Sequence, residues 1–272
     1  MSANIDMSHQ LSLTDLHKKK QAGEKIVCLT AYDASFAALL DRCGVDVVLV
    51  GDSLGMVIQG HDTTLPVDMR AMLYHTRSVS RGLQHSLLMA DMSFLSFTSV
   101  TEALRNAGRL IKQAGAQMVK LEGGSEQASI IQALSTQGIP VCAHLGLQPQ
   151  HVYKLGGYRV QGRDPRSAAQ MLDDALALQQ AGADLMLLEC VPQALAAEIT
   201  DKLTIPVIGI GAGAHCDGQI LVLYDILDIS FGLRPKFSKN FIESAGSIEA
   251  AIRAYVEAVK SGTFPAKEHC FN

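Results

Sequence analysis

Val47-Val48-Leu49-Val50-Gly51-Asp52 decides the fold: it is an apolar run of strand length that stops at a glycine and a carboxylate. Three other runs have the same form, Ser86-Leu87-Leu88-Met89-Ala90-Asp91, Met118-Val119-Lys120-Leu121-Glu122 and Leu185-Met186-Leu187-Leu188-Glu189. A short run that is apolar throughout reads as a strand buried on both faces. Acidic residues gathered where several such strands stop point to one shared site, the layout of a metal-assisted enzyme.

Outward from these runs the chain alternates between strand and helix. A helical stretch over 12–22 precedes a strand candidate over 26–31, and Asp33 then stands at a helix N-cap position, with that helix running to Cys43-Gly44. Further strands are expected over 140–144, 206–210 and 220–224, which brings the number to eight. Ala114-Gly115-Ala116 and Ala181-Gly182-Ala183 each close an amphipathic segment just before a strand, where glycine supplies the left-handed turn of a helix end. Ile139-Pro140-Val141 and Ile205-Pro206-Val207 each open a strand with proline, where its missing N–H costs little. Eight wholly apolar strands alternating with helices predict a parallel α/β architecture, best satisfied by a (β/α)8 TIM barrel with an N-terminal helix. A doubly wound open sheet shares this pattern, since periodicity does not report closure, but the first strand-helix turn lacks a dinucleotide-binding fingerprint.

At 272 residues and 48% hydrophobic content the chain has material for one core of barrel size, so a single domain over 1–272 is expected. Net charge is −4 and the basic residues are dispersed except for Lys18-Lys19-Lys20, which reads as a solvated helix face; nothing calls for nucleic acid. Met1-Ser2-Ala3-Asn4-Ile5-Asp6 has neither a basic nor an apolar stretch, and no segment has bilayer-spanning length, so a cytoplasmic protein is expected. Cys28, Cys43, Cys142, Cys190, Cys216 and Cys270 stand far apart without a Cys-x-x-Cys pair, which predicts reduced core residues.

Asp52, Asp91 and Glu122 offer hard oxygen ligands of the kind Mg2+ takes, one or two at a time, keeping its other positions for water and substrate. Each could instead be a helix cap or a surface charge. Lys120 lies two residues before Glu122, so in a regular strand both face the barrel interior. There the lysine would meet a substrate anion or form a structural ion pair with a neighbouring carboxylate. His144, ending its strand, is placed either to donate to a substrate oxygen or to serve the core. Gly209-Ile210-Gly211-Ala212-Gly213 follows the seventh strand, where many barrels bind phosphate, but tight turning or close ligand approach explains the glycines equally well.

Read together, Gly51-Asp52-Ser53-Leu54-Gly55, Gly60-His61-Asp62-Thr63-Thr64-Leu65-Pro66-Val67, Tyr74-His75-Thr76, Lys120-Leu121-Glu122-Gly123-Gly124, His144-Leu145-Gly146-Leu147 and Ile208-Gly209-Ile210-Gly211-Ala212-Gly213 closely resemble the ketopantoate hydroxymethyltransferase family. The likeness runs from about Thr30 to Lys239 without a large insertion. It implies transfer of a one-carbon unit from 5,10-methylenetetrahydrofolate to 3-methyl-2-oxobutanoate through a Mg-stabilised enolate, giving 2-dehydropantoate for pantothenate synthesis. By the same resemblance Asp52, Asp91 and Glu122 would form the Mg2+ site, Asp52, Ser53, Asp91 and Lys120 would contact substrate with His144 beside them, and Glu189 would accept the proton. The family forms homodecamers, which is the assembly the resemblance implies. Two other functions fit the same residues: a Mg2+-dependent lyase or mutase acting on another 2-oxo acid or phosphoenolpyruvate, and a catalytically silent barrel that binds a metabolite or builds an assembly.

Overall fold

A computed structural model describes residues 10–230 and 234–272; Met1 to Asp6, read above for targeting signals, lie outside the described residues. Eight parallel strands close into a barrel: β1 (Ile26–Thr30), β2 (Val47–Val50), β3 (Leu87–Asp91), β4 (Met118–Glu122), β5 (Val141–Gly146), β6 (Leu185–Glu189), β7 (Val207–Ile210) and β8 (Gly218–Leu221). β1 pairs with both β2 and β8, so closure, which the periodicity left open, is settled in favour of the barrel. Nearly every strand residue is buried, because helices cover the outside and side chains fill the inside. Register carries the functional ends into alignment: Asp91 lies beside Lys120, Glu122 beside His144, and Gly146 beside Glu189.

Local chemistry explains the connections. Asp33 caps the helix Ala34–Cys43 by accepting the N–H groups of Ser35 and Phe36 at 2.8 and 2.9 Å, and Gly44 ends it in the left-handed conformation. Gly115 and Gly182, at φ +83° and +102°, make the turns expected of them before β4 and β6. Pro140 and Pro206 sit one residue before their strands rather than inside them, yet each carbonyl already accepts a neighbouring N–H, from Val119 and Met186 respectively. All six cysteines are buried and unpaired. Among the described residues no helix is long and apolar enough to cross a membrane.

Two expectations need correction. The last strand is Gly218–Leu221, not 220–224: Val222 onward turns into a short helix, Leu223–Ile226. The apolar run hid this because the strand contains Gln219, a buried polar residue whose amide donates to the Gly213 carbonyl at 2.9 Å. Nor is Lys18-Lys19-Lys20 a solvated face throughout. Lys18 is exposed, but Lys19 pairs with Asp46 at 3.2 Å and Lys20 with Asp217 at 2.7 Å, so the helix Leu13–Ala22 is pinned across the N-terminal mouth of the barrel.

The barrel seam is held from outside. Tyr255, fully buried on the helix Ile248–Lys260, donates its hydroxyl toward the carbonyls of Cys28 on β1 and Gln219 on β8, at 2.9 and 3.1 Å. Its ring meets Phe241 and Phe264 edge-on at 5.6 and 5.9 Å. One side chain thus bridges the first and last strands.

Candidate active site

The C-terminal ends of β2, β3, β4, β5 and β6 open into a cavity of about 1080 Å3, on whose wall Asp52, Asp91, Lys120, Glu122, His144 and Glu189 all stand. Ser53 lines it too. Every residue singled out from the sequence as a site candidate therefore meets in one place. Gly51 leaves room where the chain turns into this site: a Cβ there would come within 2.8 Å of Ser53 Oγ and displace that hydroxyl.

The carboxylates are stitched together by short contacts. The Asp52 N–H donates to Asp91 Oδ2 at 3.0 Å, and the ammonium of Lys120 donates to Asp91 Oδ1, so both readings of Lys120 begin from a buried ion pair. Gln150 reaches in from the loop after β5: its side-chain amide donates to Asp52 Oδ2 at 2.9 Å and its backbone N–H to Glu122 Oε2 at 3.0 Å. Glu122 Oε1 has no hydrogen-bond partner and faces His144 Nδ1 at 3.6 Å; on the other side of the ring, Nε2 lies 3.3 Å from Glu189 Oε2. Ser53 Oγ is 2.8 Å from the buried Tyr32 hydroxyl. Since burial pushes the Tyr32 phenol well up and keeps it protonated, it is able to donate to Ser53 and leave the serine proton for a ligand.

Within this cluster four carboxylates face one ammonium, and the protonation equilibria reflect it. Burial, reinforced by Asp91, raises Asp52 from its ordinary 3.8 to about 7. Burial and the charge of Asp52 raise Glu122 strongly, and burial raises Glu189 from 4.5 to about 8. Burial opposes the charge on Lys120, but Asp91, Glu122 and Asp52 outweigh it and hold the ammonium protonated. His144 is pushed far below 6.5 by burial and by Lys120, so the imidazole is neutral. Glu189, with a side chain 15% exposed, is the carboxylate a ligand in the cavity reaches most freely; Glu122 and Asp91 are at 1% and 2%.

The arrangement suits a hard divalent cation. It carries excess negative charge, all-oxygen donors and an orphaned buried oxygen in Glu122. Among the described residues no group of three or more Asp, Glu, His or Cys side chains stands in metal-holding geometry. The fit is thus to an ion that uses one or two carboxylates and completes its shell with substrate and water. The glycines of 209–213 have structural reasons: Gly211 and Gly213 have φ of +61° and +90°, and a Cβ on Gly211 would press on Phe237 and Phe271 at 3.0 Å.

Sequence reasoning missed Gln150 and Tyr32. Neither is a charged residue at a strand end; Gln150 sits in the short turn Pro149–His151 and Tyr32 in the loop after β1, and only their positions above the strand ends give them a role.

A relative from Alkalilimnicola ehrlichii, named 3-methyl-2-oxobutanoate hydroxymethyltransferase, is 59% identical over 94% of this chain and 92% of its own length. One of the same name from Nitrosococcus oceani is 58% identical over 95% and 98%. Among solved structures, a phosphonopyruvate hydrolase complexed with oxalate and Mg2+ superposes with a TM-score of 0.59 at 14% identity, covering 94% of this chain and 92% of that one. A phosphoenolpyruvate phosphomutase from Streptomyces platensis gives 0.60 at 14%, over 80% and 83%; at such identity both likenesses speak to the fold alone. The sequence profile described as ketopantoate hydroxymethyltransferase matches residues 10–267, and with relatives this similar over almost the whole length, the chain belongs to that family.

Proposed function

We propose that this protein transfers a hydroxymethyl unit from 5,10-methylenetetrahydrofolate to 3-methyl-2-oxobutanoate, forming 2-dehydropantoate in pantothenate synthesis. The observation that carries the reading is the convergence of Asp52, Asp91, Lys120, Glu122 and Glu189 on one cavity in a chain whose relatives bear that enzyme's name.

The chemistry follows from what each group can do. A 2-oxo acid brings a carboxylate and a ketone oxygen, both of which suit the ammonium of Lys120 and the hydroxyl of Ser53. One or two of the three carboxylates that the resemblance assigns to Mg2+, Asp52, Asp91 and Glu122, would hold it, with substrate and water completing its shell; when bound it would supply Lewis-acid stabilisation of charge growing on the ketone oxygen. Neutral His144 has one N–H to give and donates it to a substrate oxygen or to Glu189. Glu189 takes the C3 proton of the substrate, and the C–H electron pair moves into the C2–C3 bond and toward the ketone oxygen. A carboxylate with its pKa lifted to about 8 is a stronger base than an ordinary glutamate; about a tenth of it is ionised at pH 7, and the share able to accept the proton grows as pH rises toward 8. The nucleophilic C3 then attacks the folate-borne methylene carbon as its first carbon–nitrogen bond breaks; water then supplies the hydroxyl as the second carbon–nitrogen bond breaks, and the two folate nitrogens leave with one proton from the substrate C3 and one from that water.

The test separates deprotonation from transfer. In deuterated water with Mg2+ and no folate, the wild type should exchange the C3 hydrogen of 3-methyl-2-oxobutanoate, and a chelator should abolish the exchange. Glu189→Gln should slow exchange and turnover by on the order of a hundredfold or more. Normal exchange in the folded variant removes Glu189 as the base. Product formation independent of methylenetetrahydrofolate would favour the lyase or mutase reading.

A further inference from the structure

We infer that Gln150 is a positioning residue that fixes the orientation of the Asp52 and Glu122 carboxylates, and so sets the affinity of the site for a divalent cation. The inference rests on the reading of this cluster as a cation site and adds to it a residue from outside the carboxylate set.

Gln150 is 4% exposed and holds two strands' worth of ligands from one loop. Its amide nitrogen donates one hydrogen to Asp52 Oδ2 at 2.9 Å and the other to the Met92 carbonyl at 3.0 Å, while its backbone N–H holds Glu122 Oε2 at 3.0 Å. Both amide hydrogens are therefore spent, and the orientation of the amide is determined: turned over, its oxygen would face two acceptors. Asp52 Oδ2 and Glu122 Oε2 are thereby engaged by the protein; Asp52 Oδ1 is left without a hydrogen bond among the described residues, and the partnerless Glu122 Oε1 is buried 3.6 Å from His144 Nδ1. Without such a clamp each carboxylate is free to rotate about its last bond, and a cation must pay for ordering both. The neutrality of the donor matters equally. A lysine or arginine here would hold Asp52 as firmly but would repel the incoming ion, whereas an amide supports the ionised carboxylate and leaves the charge of the site intact. Partners of this kind around metal ligands typically contribute about ten- to a hundredfold in affinity.

The backbone arm to Glu122 survives any change of side chain, so substitution isolates the arm to Asp52. Mn2+ alone, titrated into the metal-free full-length protein and followed by electron paramagnetic resonance, is the probe. Gln150→Met, close in volume and without donors, should raise the dissociation constant by about ten- to a hundredfold. Gln150→Asn, whose amide stops one methylene short, should raise it less. In turnover assays the loss in Gln150→Met should be in the Mg2+ concentration needed for half-maximal rate, with kcat largely recovered at saturating metal; a merely structural residue would not give that split. A folded Gln150→Met protein that binds Mn2+ within about twofold of the wild type overturns the inference and leaves the cation site standing. Failure of the wild type to bind Mn2+ overturns the cation-site reading and this inference with it.

Discussion

At the N-terminal mouth of the barrel the carboxylates are fully employed, whereas at the C-terminal mouth they crowd one another. Asp46 accepts the Val27 N–H at 2.9 Å and pairs with Lys19; Asp217 accepts the Val207 N–H at 2.8 Å and pairs with Lys20. Asp41 takes the N–H groups of Gln84, His85 and Ser86 together with the Ser86 hydroxyl, tying the helix Ala34–Cys43 to the start of β3. Asp52, Glu122 and Glu189 at the other mouth share one lysine with Asp91, and their protons are held well above the ordinary range. The same residue types therefore oppose each other in effect: the lower set ties the fold together through hydrogen bonds and ion pairs, and the upper set strains it by being charged. Function keeps the upper set.

Removing the sole ammonium of the upper cluster should have the largest effect. Lys120→Met leaves Asp91 buried among carboxylates, and breaking such a pair costs about 3–5 kcal/mol, so urea denaturation should show a large loss of stability along with lost turnover. The sequence alone offered Lys120 a substrate anion or a structural ion pair; the buried pair with Asp91 makes stability and turnover fall together. Combining Lys120→Met with Asp91→Asn should restore most of the stability and none of the activity. Wild-type stability in the single variant would show that the upper mouth carries no electrostatic load.

Glu189→Gln sharpens the contrast because it should abolish activity and raise the melting temperature of the metal-free protein. The folded state holds the Glu189 proton more tightly than the unfolded chain does. Its contribution to stability is therefore complete below about 4.5 and is lost as pH rises through about 8. The glutamine does not titrate, so its advantage in melting temperature over the wild type should be small at pH 5 and widen to several degrees at pH 8. An advantage that stayed constant across this window would contradict the assignment.

The smallest effect belongs to the lower mouth. Asp41→Asn keeps an oxygen for the Ser86 donors but turns an amide toward the Gln84 N–H, which should cost about 1–2 kcal/mol in chemical denaturation and leave kcat/KM unchanged. Loss of activity without loss of stability would mean the two mouths are coupled.

The sequence disclosed what repeats and what is charged. Apolar runs at regular spacing delivered the barrel, and the acidic residues that end four of them delivered the cavity wall, because burial and chemistry are written in residue type. Gln219 disguised the start of β8, since a buried amide satisfied by a carbonyl looks polar in a hydropathy pattern. Lys19 and Lys20 looked solvated because their partners, Asp46 and Asp217, lie far along the chain. Gln150 left no signal at all: its role depends on two bonds to groups 98 and 58 residues away, which only the folded barrel brings within reach.

The Tyr255 bridge across the seam has a consequence for the timing of synthesis. β1 finds its second neighbour only when Gly218–Leu221 has been made, about 190 residues after Ile26, because register pairs Ile26 with Gly218. At about 5–20 residues per second the ribosome leaves that edge unpaired for about 10–40 s, and the tyrosine that fastens it arrives later still. Throughout that interval the nascent chain exposes Ile26-Val27-Cys28-Leu29, an apolar strand edge of the kind to which other chains adhere. The helix Leu13–Ala22 is already translated by then and its partner Asp46 soon follows, but its second anchor, Asp217, comes only with β8, so until the barrel closes one ion pair rather than two holds that helix across the mouth.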